Sequence, residues 1–87
     1  MLKEKEEIKF YYTVQVGAFS KLKEAEKLKD KLENKGYTVM IWESNSNKKL
    51  YKVWVGKFKD KSAAKVTANK LYRNERLKTF ILKMKQN

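Results

Sequence analysis

Two hydrophobic periods alternate along the chain. From Ile8 every second position is apolar: Ile8, Phe10, Tyr12, Val14 and Val16 share one face, and Lys9, Tyr11, Thr13 and Gln15 share the other. That is the period of a strand. Gly17 is expected to end it, with Phe19 filling the core just after the turn. Over residues 21–35 the spacing becomes helical, with Leu22, Ala25, Leu28 and Leu32 on one stripe and no β-branched residue. Ser20 is the expected N-cap, and Asn34-Lys35-Gly36 reads as the stop. Residues 37–43 alternate again, Val39 and Ile41 against Thr38, Met40 and Trp42, before a polar loop over residues 44–49. A third strand over residues 51–55 sets Tyr51, Val53 and Val55 against Lys52 and Trp54. Asp60 then caps a second helix, residues 61 to about 74, with Ala64, Ala68 and Leu71 inward. A last strand over residues 78–84 is read with Phe80, Leu82 and Met84 inward and Thr79, Ile81 and Lys83 outward.

The pattern is written twice. YTVQVGAF at residues 12–19 returns as YKVWVGKF at residues 51–58, so that Tyr12, Val14, Val16, Gly17 and Phe19 match Tyr51, Val53, Val55, Gly56 and Phe58. In the same frame Ala25 matches Ala64 and Leu32 matches Leu71. Two copies are too few for a solenoid, so they form one domain with internal pseudo-symmetry. The order β-α-β-β-α-β is met by an α+β, ferredoxin-like (RNP-like) fold, a four-stranded antiparallel sheet with two helices on one face. Connection handedness puts the first and third strands in the centre. Residues 1–7 read as a charged lead-in. Residues 8–85 read as one domain, with halves at 8–43 and 50–84.

Two helices cover one face of the sheet and leave the other open. By alternation the open face collects Tyr11, Thr13, Gln15, Met40, Trp42, Lys52, Trp54, Thr79, Ile81 and Lys83. Two tryptophans and a tyrosine on a wet surface mark an interaction site, unless a dimer partner or the chain ends cover them. Gln15 and Trp54 occupy equivalent positions in the two copies, which sets them side by side on the central strands. Indole packs against the C–H face of a sugar while the amide bonds its hydroxyls, and the same pair suits a stacked base.

Composition narrows the chemistry. The 87 residues hold no cysteine and no histidine, which removes disulfides, thiolate and imidazole metal sites, and the usual neutral-pH acid–base catalyst. Neither a metal nor a cofactor is implied. Ser20 and Ser44 have no base to activate them, and the open face offers no paired carboxylates, so no enzyme activity is expected. The formal charge of +12, from 22 basic and 10 acidic residues, favours anionic partners or serves solubility alone. No stretch is long and apolar enough to span a bilayer. The start, MLKEKEEIK, lacks the apolar core of a signal peptide, so the chain is either cytoplasmic or cut from an exported parent.

VQVGAF, the helix containing Ala25-Glu26-Lys27-Leu28, Lys35-Gly36-Tyr37, and YKVWVGKF followed by Ala63-Ala64 together resemble a SPOR (sporulation-related repeat) domain over about residues 10–83. The resemblance implies the fold already read from the pattern. It also implies binding to bacterial peptidoglycan glycan strands, favouring strands stripped of stem peptides, as found at the division septum. The family's site is the open sheet face, with a first-strand glutamine that Gln15 matches. Trp54 stands where the family often has arginine or another polar residue, and Lys21 stands where the first helix often has a Ser or Asp cap. Tyr11, Thr13, Gln15, Met40, Trp42, Lys52, Trp54, Ile81 and Lys83 are the candidate glycan-binding residues. Lys52 and Lys83 are set to pair with the lactyl carboxylates that stem-peptide removal exposes, each adding about 0.5–1 kcal/mol. The implied setting is the cell envelope, as a monomeric targeting domain of a larger cell-wall or division protein. One alternative is an RNA-recognition-type nucleic-acid module, although the K/R-G-F/Y-G/A-F-V-x-F/Y signature is absent from YKVWVGKF. Another is a protein-interaction domain using the same face.

Overall fold

The computed structural model describes residues 9–86. The elements run β1 (Lys9–Phe19), α1 (Leu22–Glu33), β2 (Val39–Ser44), β3 (Leu50–Phe58), α2 (Lys61–Glu75) and β4 (Phe80–Gln86). Ile8 and the lead-in at residues 1–7 lie outside the described residues. One antiparallel sheet has the order β2-β3-β1-β4, with the two copies of the repeat supplying the central strands as the sequence predicts.

Cross-strand partners share a face, so the register lays out the core in rows. Val39, Val55, Val14 and Ile81 run across all four strands on the helix side. Ala25 and Leu32 of α1 and Ala64, Ala68 and Leu71 of α2 close over them, and all but Ile81 are buried. The small residues at Ala25, Ala64 and Ala68 let both helices lie close to the sheet. Leu22, expected on the stripe of α1, is exposed at the first turn.

Gly17 does not end the first strand. β1 continues to Phe19 through a pair of bulges that explain the repeated V-x-V-G-x-F. On β3, Gly56 and Lys57 stand against the single residue Thr13. Gly56 takes φ +79°, the left-handed conformation that lets a glycine open such a bulge without steric cost. On β1, Val16 is the inserted residue. Each bulge switches the parity of its strand, so an apolar residue three positions on returns to the core. Phe58 pairs with Tyr12 and Phe19 with Tyr51 on the helix side, both half-buried against the core. Each phenylalanine ring folds back over its own glycine; a Cβ on Gly56 would lie 2.4 Å from the Phe58 ring.

Three further expectations are corrected. Thr13 shares the outer face with Gln15 but is 1% exposed. Its hydroxyl donates to the Gly56 carbonyl at 2.7 Å, with the Val55 carbonyl at 3.2 Å, which closes the β3 bulge. β4 sits in the opposite parity from that expected. Ile81 pairs with Val14 and packs on the core, and Lys83 pairs with Tyr12 on the helix side, its ammonium 4.5 Å from the Phe10 ring. Phe80, Leu82 and Met84 therefore face outward, opposite Gln15, Thr13 and Tyr11. Alternation favours the wholly apolar phase of Phe80, Leu82 and Met84, but pairing with β1 sets Ile81 opposite Val14 and so turns that phase outward. Finally, the N-cap of α1 is Lys21, not Ser20, and it makes no side-chain cap bond. Its counterpart Asp60 accepts from the Ala63 N–H at 3.0 Å.

Candidate functional site

The sheet face opposite the helices is built around one row of side chains. Met40, Trp54, Gln15 and Phe80 are successive cross-strand partners across β2, β3, β1 and β4. At its centre the Trp54 indole N–H donates to Gln15 Oε1 at 3.0 Å. Indole can only donate, so this bond sets the orientation of the glutamine amide and leaves both of its N–H donors for a ligand. These are the two equivalent positions of the repeat, brought together on the pseudo-dyad.

Trp54 is not the exposed platform its position suggested. Only 4% of it is accessible, because the ring of Trp42 lies on it with centroids 5.4 Å apart and planes 7° from parallel. Trp42 is 50% exposed, so the indole that meets solvent comes from the edge strand and the buried one supports it. A stacked pair of this kind contributes about 0.5–1.5 kcal/mol beyond the area it buries. It also holds the outer ring at a defined height and tilt. Lys52 is the cross-strand partner of Trp42 and is half-buried beside it.

The face is more apolar than the sequence predicts. The outward phase of β4 adds Phe80, which is 56% exposed, together with Leu82 and Met84, while Met40 is exposed on the opposite edge. Its charged side chains stand at the periphery. Lys57, turned outward by the β3 bulge, lies 4.7 Å from the Tyr11 ring centroid. Of the candidate residues, Tyr11, Gln15, Met40, Trp42, Lys52 and Trp54 are on this face, with Trp54 buried beneath Trp42 and bonded to Gln15. Thr13 is buried beneath it, and Ile81 and Lys83 are on the other side. Phe80, Leu82, Met84 and Lys57 were missed. For Lys57 the signal was present: Val55 to Phe58 is an odd step, and only a bulge at Gly56 lets both face inward.

Among the described residues there is no cluster of acidic side chains that could hold a metal, and no helix long and apolar enough to cross a membrane. The geometry offers an exposed indole, two amide donors beside it and a lysine at its flank, arranged on a shallow sheet rather than in an enclosed pocket. Such a surface suits an extended ligand with apolar faces and hydroxyl edges.

The SPOR domain model matches residues 9–83. The chain belongs to the SPOR domain family. Among solved structures, this SPOR domain is similar to the peptidoglycan-binding domain of the B. subtilis cell wall lytic enzyme CwlC, known from a solution structure. The identity is 26%, the TM-score 0.73, and the match covers 95% of this chain and 98% of that one. It is also similar to the RlpA SPOR domain of Pseudomonas aeruginosa, known from a crystal structure, at 25% identity and a TM-score of 0.70. There the match covers 82% of this chain and 96% of that one. A search of the curated proteins found no match. The family and the fold thus agree with the sequence reading, including the β-α-β-β-α-β order and the central placement of both repeats.

Proposed function

We propose that this SPOR domain is a non-catalytic module that binds the glycan strands of bacterial peptidoglycan on its open sheet face. The observation that carries the reading is the Trp42–Trp54 stack, locked at its base to Gln15 and open to solvent at Trp42. The CwlC domain, similar over nearly the full length of both chains, is a peptidoglycan-binding domain, which gives the sugar reading its specific target. A sugar ring packs its C–H face on Trp42 while its hydroxyls accept from the Gln15 amide. Met40 and Phe80 extend the apolar floor along the row toward both edges. Lys52 pairs with lactyl carboxylates of muramic acid, which are free only where stem peptides have been removed. Strands without stem peptides are therefore the preferred ligand. Residues 8–85 form the binding domain, and it places a larger envelope protein on such strands.

Co-sedimentation with purified sacculi tests this. Binding rises when the sacculi are treated with an amidase and survives moderate salt. It falls at least tenfold in Trp42→Ala, a loss of about 1.4 kcal/mol, while the far-ultraviolet dichroism is unchanged. Unaltered binding in Trp42→Ala and Gln15→Ala together overturns the site. Pelleting that disappears in mild salt points to nucleic acid on the same face, whose affinity falls steeply as counterions are released.

A further inference from the structure

Among the described residues the sheet has two free edges, and they are not alike. β4 is guarded: its run FILKMKQ carries Lys83 and Lys85, and the basic helix α2 packs beside it. β2 reads VMIWES, with no lysine, glycine or proline, and it pairs with β3 in unbroken register. Lysines, prolines and bulges are the devices that stop an edge strand from pairing with another chain, and β2 has none of them. Its one charge, Glu43, is already paired with Lys49 at 3.4 Å.

The main chain of β2 is oriented for pairing. The Gly56 N–H donates to the Thr38 carbonyl at 2.9 Å across the β2–β3 ladder. By antiparallel alternation Met40 and Trp42 also turn their main-chain groups toward β3, and Val39, Ile41 and Glu43 turn theirs to the open edge. The Trp42 ring leans inward onto Trp54 of β3, away from that edge. Charge is distributed to match. Residues 22–44, which span α1 and β2, hold five basic and five acidic residues. Residues 45–86 hold thirteen basic residues against Asp60 and Glu75. The flank formed by α1 and β2 is therefore where two copies of this positive chain meet with least repulsion.

We infer that β2 is a self-association edge: a second copy of this chain pairs with it, antiparallel, to form one eight-stranded sheet from two sheets of four. Of the registers that keep each face continuous, the one centred on Ile41 engages every outward main-chain group. Ile41 then lies against the partner's Ile41, and Val39 against the partner's Glu43. On the open face Met40 comes to lie beside the partner's Trp42, a contact of thioether with indole. Each copy thus adds a side chain to the aromatic platform of the other. One such edge per copy closes the assembly at two. The pairing does not depend on what the open face binds.

Sedimentation equilibrium of the folded domain without ligand tests this. The mass rises with concentration from 10.4 kDa toward twice that value and no further. Added salt strengthens the association, since it screens the repulsion between two chains of charge +12. Glu43→Pro removes an outward N–H, spares the ladder to β3, and weakens association at least tenfold with unchanged far-ultraviolet dichroism. The chain has no cysteine, so single-cysteine variants report the register independently of the proline variant. Opposed residues of this kind have Cα atoms about 5.5 Å apart, a spacing that a disulfide spans. Ile41→Cys therefore oxidises to a linked dimer at least tenfold faster than Lys83→Cys on β4. A mass that stays at one chain in high salt, growth beyond two chains, association untouched by a folded Glu43→Pro, or linkage at residue 83 as fast as at residue 41 would each overturn the proposal.

Discussion

The two halves of this domain share a backbone plan and differ in detail. β1–α1–β2 and β3–α2–β4 carry the same V-x-V-G-x-F, a bulge in each central strand with a phenylalanine ring folded over its glycine, and helices that bury equivalent alanine and leucine positions. Where the copies differ, the difference has a consequence. Position 15 is an amide and position 54 an indole, so the pseudo-dyad holds an unlike pair in which the indole donates and the amide accepts, a bond that two indoles, which only donate, could not make. The first helix is uncapped, charge-balanced and ends on glycine. The second is capped by Asp60, positive and ends on arginine. The repeat supplies a common scaffold, and the copies differ at the aromatic pair on the pseudo-dyad and at the helix ends.

Three pairs of substitutions probe that division, each comparing equivalent positions. The largest contrast is at the dyad. Trp54→Ala removes a buried indole and is expected to cost about 3–5 kcal/mol. Gln15→Ala leaves the indole N–H without its acceptor and costs about 1–2 kcal/mol. Urea unfolding measures both, and equal losses would mean that the pair, not the indole, carries the stability.

The bulge glycines come next. Gly56→Ala adds a Cβ 2.4 Å from the Phe58 ring at φ +79°, for an expected loss of about 2–3 kcal/mol. Gly17→Ala meets the Phe19 ring at 2.8 Å without a positive φ, so ring displacement suffices and the loss is about 1 kcal/mol. If the order were reversed, the left-handed conformation would not be the limiting feature of the bulge.

The smallest contrast is at the caps. Asp60→Ala gives up a bond to Ala63 and about 1 kcal/mol, whereas Lys21→Asp supplies the missing cap and gains about 0.5–1 kcal/mol. Thermal melting reads both with opposite signs. A neutral Lys21→Asp would show that the first turn of α1 needs no cap of its own.

Much of the site was legible where a residue had only one plausible phase. Val14 and Val16 alternate with polar neighbours, so Gln15 could only point outward. The reading failed where the more apolar phase of a strand faces outward, as with Phe80, Leu82 and Met84 of β4, and where hydrophobicity and burial part company. Thr13 is polar and buried because its hydroxyl serves two carbonyls of the bulge, a need created by another strand. Trp54 was placed on the correct face with the wrong exposure, since nothing local says that Trp42 lies on top of it.

Element order, fold class, the central pairing of the repeats and the existence of an uncovered aromatic face follow from local periodicity and from the repeat, because both are properties of a segment and its nearest neighbours along the chain. The phase of β4, the burial of Thr13, and the choice of which tryptophan meets solvent depend on register between strands far apart in sequence. A one-residue slip exchanges the faces of a strand. Only the assembled sheet, with its two bulges in place, fixes that register.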